Sequence, residues 1–284
     1  MKLAQIYYQN RLYVSEVDGE ELVPYDFDGD MIDLMLDDLS PGKREDLRIP
    51  VQSATFLPSV LHPSKIIAIG LNYLDHANEG NAEIPKTPLV FTKFSNSLIG
   101  HNQEICWDQD ITKQVDYEAE LAVVIGEVVH KCSVQEANDY IWGYTCANDV
   151  SARDLQFGDG QWVRGKSLDT FCPLGPWIVR SEEMDFPNSL KIQCRVNGKV
   201  MQESNTEKMI FSIPELVSFL SNHFTLFPGD IILTGTPDGV GAFRKPPVYL
   251  KHGDTVDVEI ESIGCLSNTT VVKTKNKDDE WARL

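Results

Sequence analysis

Acidic residues recur at alternate positions in VDYEAELAVVIG: Asp116, Glu118 and Glu120. The run that follows, Leu121 to Ile125, is apolar and rich in β-branched residues, so the segment reads as a strand entering a core. Side chains two apart on a strand share a face, so Glu118 and Glu120 point the same way. Two like charges at the mouth of a buried strand repel each other unless a cation or positive side chains neutralise them. A hard divalent cation, Mg²⁺ or Mn²⁺, is the simplest partner for such oxygen donors. An exposed strand end with a solvated acidic face is the other reading that the triplet allows.

A second group follows in IWGYTCANDVSARDLQ, where an apolar strand pattern ends at Asn148-Asp149 and a helical pattern begins. Asp149, Arg153 and Gln156 are spaced i, i+4, i+7, which predicts one face of the first helical turns. Asp149 could cap that helix. Capping does not account for the Arg and Gln behind it, which suit an anionic ligand beside a metal. In GLNYLDHANEG, His76 and Glu79 sit three apart, one helical turn. A Glu beside a His orients the ring and raises its basicity, giving a general base; an exposed surface pair is the alternative. The remaining histidines, His62, His101, His130, His223 and His252, show no ligand spacing.

The blocks DYEAELAVVIG, GYTCANDVSARDLQ, GQWVRGKSLDTFCPLGP and GDIILTGTPDGVG, in that order and spacing, resemble the fumarylacetoacetate hydrolase family. The resemblance runs from about Leu61 to Val272 and is specific for family, not for substrate. It implies that Glu118, Glu120 and Asp149 are metal ligands, and that Arg153, Gln156, Lys166 and Thr236 face the substrate. It also implies that His76 and Glu79 ride on a lid over the metal. Gly80 and the Pro85–Pro88 stretch suit such a flap.

Gly160 to Ser167 also fits the phosphate-loop pattern G-x-x-x-x-G-K-[ST]. A phosphate loop follows a buried strand and opens a helix. Here RDLQFGDG precedes it, and Pro173, Gly175 and Pro176 follow too soon for a stable helix. Lys166 is therefore expected beside the carboxylates, offsetting their charge and polarising a substrate oxygen.

The formal net charge of −18 argues against nucleic acid and anionic membranes as partners. An acidic protein that binds an anionic acid needs a local cation, again consistent with a metal. Six cysteines without C-x-x-C pairing read as reduced thiols of a cytoplasmic protein. No apolar leader or membrane-length stretch is expected. No G-x-S-x-G or G-x-G-x-x-G motif supports a serine hydrolase or a Rossmann enzyme.

The chain divides near Pro58–Pro63 into a small β-rich N-terminal domain over 1–60 and a larger domain over 61–284. The first opens with LAQIYYQ and RLYVSEV, joined around Asn10, followed by an amphipathic MIDLMLDDL. In the second, KIIAIG, PLVFTKF, LAVVIG, PWIVR, LKIQCRVNG, DIILTG and TVDVEIE read as strands. The plainest helix spans Pro214 to His223, with Ser212 as N-cap. Periodicity thus predicts a β-rich α+β protein, and the resemblance implies a rolled mixed sheet with the metal at one open end.

The activity expected is that of a Mg²⁺- or Mn²⁺-dependent enzyme acting on a small anionic 2-oxo or β-diketo acid. Acylpyruvate-type hydrolysis, with His76 and Glu79 activating water, and oxaloacetate decarboxylation stand level. A keto–enol isomerase comes third, and a catalytically silent metal-binding protein is the rival of a different class. The resemblance further implies a homodimer.

Overall fold

The computed structural model describes residues 1–36, 41–184, 187 and 189–273. The chain opens with β1 (Lys2–Tyr8), β2 (Arg11–Asp18), β3 (Glu21–Pro24) and a short helix α1 (Met31–Leu36), then β4 (Ile49–Pro50) and β5 (Thr55–Phe56). The end of the amphipathic MIDLMLDDL pattern, from residue 37, lies outside the described residues. Next come β6 (Ile66–Gly70), α2 (Leu74–Glu79), β7 (Leu89–Lys93), β8 (Leu98–Ile99) and β9 (Glu104–Asp108). The segment that carries the carboxylates contains β10 (Val115–Asp116), β11 (Ala119–Ile125), β12 (Ile141–Asn148) and β13 (Ser151–Ala152). Two short helices, α3 (Arg153–Gly158) and α4 (Val163–Lys166), precede β14 (Cys172–Arg180), β15 (Lys191–Val196) and β16 (Lys199–Asn205). The described chain closes with α5 (Ile213–His223), β17 (Ile231–Leu233), β18 (Thr255–Ile260) and β19 (Gly264–Lys273).

The architecture is α+β and strand-rich. A twelve-stranded mixed sheet runs β4-β3-β2-β1-β14-β12-β11-β17-β6-β7, with β5 and β8 attached to β1 and β14. A five-stranded sheet runs β16-β15-β18-β19-β9. The N-terminal strands join the large sheet directly, because β1 pairs antiparallel with β14 at Leu3↔Ile178. They also enclose a small cluster of their own, built on Ala4, Ile6, Leu22, Ile49 and Phe56.

β11 is buried along its whole length. Leu121, Val123 and Ile125 belong to the main core, and Ala122 and Val124 to a second cluster. Alternation sends successive side chains to opposite faces, so a strand covered on both sides must be apolar throughout. On β18, Val256, Val258 and Ile260 face the main core, as their period-two spacing predicts. α5 starts with the expected Ser212, whose N–H and hydroxyl both donate to Glu215 at 2.7 and 2.6 Å.

Sheet order decides which strand ends meet. β11 runs antiparallel to β12, with Glu120 beside Ala147, and to β17, with Ala122 beside Leu233. β17 runs parallel to β6, with Leu233 beside Ala68. The start of β11 therefore meets the ends of β12 and β17, and the loops leaving those ends carry Asp149 and Thr236.

Candidate active site

Glu118, Glu120 and Asp149 are all buried and offer oxygen atoms within 4.8 Å of one another. Glu118 itself lies in a break between β10 and β11, held by its N–H to Asn148 Oδ1 (3.0 Å) and its carbonyl to Asp149 N–H (2.9 Å). The third acid of the alternating triplet goes elsewhere. Asp116 Oδ2 accepts from Arg153 Nε at 2.8 Å, and its carboxylate also receives the N–H groups of Gly241 and Ala242.

Contrary to the spacing, Asp149 does not share a helical face with Arg153 and Gln156. Ser151 and Ala152 pair with Asp116 and Val115 as an antiparallel ladder, so the chain after Asp149 stays extended and α3 begins only at Arg153. Asp149 instead follows the end of β12 directly. Arg153 and Gln156 do sit together on α3, Nη1 donating to Oε1 at 2.9 Å.

Three buried cations answer the carboxylates. Lys166 Nζ bridges Glu118 Oε2 (2.7 Å) and Asp149 Oδ2 (2.6 Å). Arg153 Nη2 lies 2.7 Å from Glu118 Oε1. Lys93, a residue that the sequence reading left inside a strand pattern, donates to Asp149 Oδ1 at 2.6 Å and also to the Lys166 carbonyl. Burial pushes the Glu118 carboxyl up, but Lys166 and Arg153 outweigh it and hold it at about 2. Burial lowers Lys166, yet Asp149 and Glu118 leave it raised, so it stays charged.

Glu120 is different. Its Oε2 accepts from Gly235 N–H at 2.8 Å, and no Lys or Arg pairs with it among the described residues. Burial, then the neighbouring Asp149 and Glu118, push its carboxyl well above the usual range. The Tyr73 hydroxyl, buried and also raised by burial and by Glu120, has no hydrogen-bond partner among the described residues. An oxygen-only donor set with one uncompensated carboxylate fits a hard divalent cation, which would supply the missing positive charge.

His76 and Glu79 come together as their spacing predicts. α2 brings His76 Nδ1 to 3.4 Å from Glu79 Oε2, and both Glu79 oxygens accept from Gly239 N–H at 3.1 Å. Phe243 packs against the His76 ring, centroids 5.6 Å apart. The helix is tied down through Asp75, which accepts from Ser204 Oγ at 2.5 Å and Lys208 Nζ at 3.2 Å.

A cavity of about 140 Å³ is lined by His76, Glu118, Glu120, Arg153, Gln156, Lys166 and Thr236, together with apolar residues. All the candidate residues except Asp149 and Glu79 border it. Thr236 lines it, but its hydroxyl donates to the Ala119 carbonyl (2.9 Å) and accepts from Gln202 Nε2 (2.8 Å). Gln202 is a second residue that sequence reading missed. Its Oε1 also accepts from Ala119 N–H, between the two glutamates. No local signal marks Gln202 or Lys93, since Lys93 reaches Asp149 across 56 residues and Gln202 reaches Thr236 across 34 and Ala119 across 83. The phosphate-loop match is dissolved in this geometry: a four-residue helix occupies it, and its lysine is committed to carboxylates.

The fumarylacetoacetate (FAA) hydrolase C-terminal family profile matches residues 65–272. The chain belongs to this family. It is 49% identical over 224 residues to a protein named oxaloacetate tautomerase Fahd2a, mitochondrial, of Rattus norvegicus, covering 78% of this chain and 71% of that one. Among solved structures, a fumarylacetoacetate hydrolase from Exiguobacterium antarcticum superposes with a TM-score of 0.88 at 34% identity. A 5-carboxymethyl-2-hydroxymuconate delta-isomerase from Mycobacterium smegmatis does so with 0.81 at 37%. Each of these alignments covers 96% of this chain and 100% of the other. As a family member the chain is an enzyme with a carboxylate cluster suited to a metal. Among the described residues, no helix is long and apolar enough to cross a membrane.

Proposed function

We infer that this protein is a Mg²⁺- or Mn²⁺-dependent keto–enol tautomerase of a small 2-oxo dicarboxylate of the oxaloacetate type. The observation that carries this reading is His76, paired with Glu79, lining the cavity that holds Glu118, Glu120 and Lys166. The sequence reading ranked bond cleavage above tautomerisation; the tautomerase-named relative reverses that order. Glu118, Glu120 and Asp149 would hold the cation, which when bound supplies Lewis-acid polarisation of the 2-oxo group and acidifies the neighbouring C–H.

The remaining work falls to the chain's own groups. Arg153, fixed by Asp116 and Glu118, and Gln156 offer donors to a substrate carboxylate. Lys166, charged and buried, stabilises negative charge developing on the substrate oxygen. Glu79 holds His76 by Nδ1, which leaves Nε2 to take the proton from carbon 3 and return it to the 2-oxygen. The atoms balance: one proton moves from carbon to oxygen, and the reverse passage restores the ketone. Glu79 is bound to Gly239 N–H and therefore acts as an orienting group.

Hydrolytic C–C cleavage of an acylpyruvate is the second reading, favoured by the same dyad, which would then activate water. Decarboxylation of oxaloacetate makes less use of it. The substrate partner is a small anionic acid, nucleic acid and membranes play no part, and the working unit is a homodimer in the cytoplasm. Enol-to-keto relaxation of oxaloacetate, followed by ultraviolet absorbance with Mg²⁺, with Mn²⁺ and with excess EDTA, tests the proposal. Metal-dependent acceleration is expected. Acylpyruvate turnover without acceleration of oxaloacetate would shift the assignment to the hydrolase.

A further inference from the structure

The reaction cavity ends on two aromatic rings. Phe91 on β7 and Trp162, the residue before α4, stand edge to face with centroids 5.3 Å apart. Both line the cavity beside Glu118 and Lys166. Both also line a second, surface-open cavity of about 650 Å³ whose other walls include Lys65, Leu89, Val90, Gln161 and Phe224. The pair thus stands between a small chamber that holds the charged side chains and a larger cleft, open to solvent, with mostly apolar walls.

The partition is held from each side. Lys166 Nζ sits 5.1 Å from the centre of the Phe91 ring, a cation–π contact that ties the ring to the carboxylate cluster. Trp162 lies against the backbone of β6. A Cβ built on Gly70 would come 2.7 Å from Trp162 Cζ3, so only glycine admits the indole so close. A tryptophan serving core packing alone would be enclosed; this one is half-buried and borders both chambers.

We propose that Trp162 is the specificity-determining residue of the site: its indole closes the way into the apolar chamber and so restricts the enzyme to short 2-oxo acids. The proposal rests on the reading that a 2-oxo acid binds with its carboxylate and oxo oxygens at the Glu118–Glu120–Asp149 centre. With those groups fixed there, a longer chain must run past Trp162. A reaction chamber of about 140 Å³ corresponds to roughly five water volumes, room for an acid of few carbons.

The test is calorimetric titration of the Mn²⁺-loaded protein with 2-oxobutanoate and 2-oxooctanoate, so that no turnover is needed. Each methylene that leaves water strengthens binding by up to about fourfold. Wild type is expected to prefer the short acid. Trp162→Ala is expected to shift the preference toward 2-oxooctanoate by about tenfold or more. Trp162→Leu carries the same expectation with a smaller shift, should the alanine variant fold poorly. Adding Leu89→Trp, which refills only the apolar chamber, should cancel the gain. An unchanged preference in a folded Trp162 variant, or a gain that survives Leu89→Trp, overturns the proposal. Binding of neither acid by wild type overturns the 2-oxo acid reading, and the proposal with it.

Discussion

Asp116 holds Arg153 in place: Oδ2 accepts from Nε at 2.8 Å with both side chains buried. Asp116 stands two residues before Glu118, yet it stays out of the carboxylate cluster and serves it at one remove. Arg153 in turn reaches Glu118 and Gln156. Asp116→Ala would leave a buried guanidinium half-paired and the Gly241 and Ala242 N–H groups without an acceptor. Loss of about 3–5 kcal/mol of stability is expected, measured by urea denaturation. A drop below about 1 kcal/mol would show that water replaces the carboxylate.

Glu120→Gln removes the one carboxylate of the cluster that has no cationic partner. Mn²⁺ affinity should fall by more than about 100-fold, beyond the loss expected for an outer-shell change. Burial, then the neighbouring Asp149 and Glu118, make an ionised Glu120 costly in the metal-free protein, so the variant's melting temperature without metal should not fall. Retained Mn²⁺ binding by calorimetry would remove Glu120 from the ligand set.

His76→Ala should lower kcat for oxaloacetate tautomerisation by about 10²-fold or more, because the proton relay is lost. Mn²⁺ affinity and binding of oxalate should be kept, since His76 is paired with Glu79. Glu79→Gln keeps the ring but weakens its orientation, so its loss should be smaller. If both variants lose oxalate binding equally, the pair closes the lid and moves no proton.

His101 sets an acid-side stability limit apart from the site. Burial holds it below the ordinary histidine value of 6.5, and its Nδ1 accepts from Ser267 N–H at 3.0 Å, which requires the neutral ring. The unfolded chain takes up the proton first, so this contribution is fully present above 6.5 and declines as pH falls below it. Denaturation at about pH 5.5 and about pH 7.5 should show a smaller pH dependence in His101→Gln than in wild type. Parallel profiles would contradict it.

Local spacing in the sequence determined the most apolar or regularly alternating strands, such as β11 and β18, the capped helix α5, the pairing of Glu118 with Glu120 and the meeting of His76 with Glu79. These relationships span at most a few residues, and backbone periodicity alone carries them. The family resemblance supplied Asp149, Lys166 and Arg153, which spacing alone left with other readings open. Tertiary structure decided the rest. It turned Asp116 away to Arg153, and it ended the supposed helical face before Asp149 by pairing β13 with β10. It brought Lys93 to Asp149 across 56 residues and Glu79 to Gly239 across 160. It also set Trp162 on Gly70 as a wall between two chambers. Such contacts depend on which strand ends the sheet order brings together, and no periodicity within a segment encodes that order.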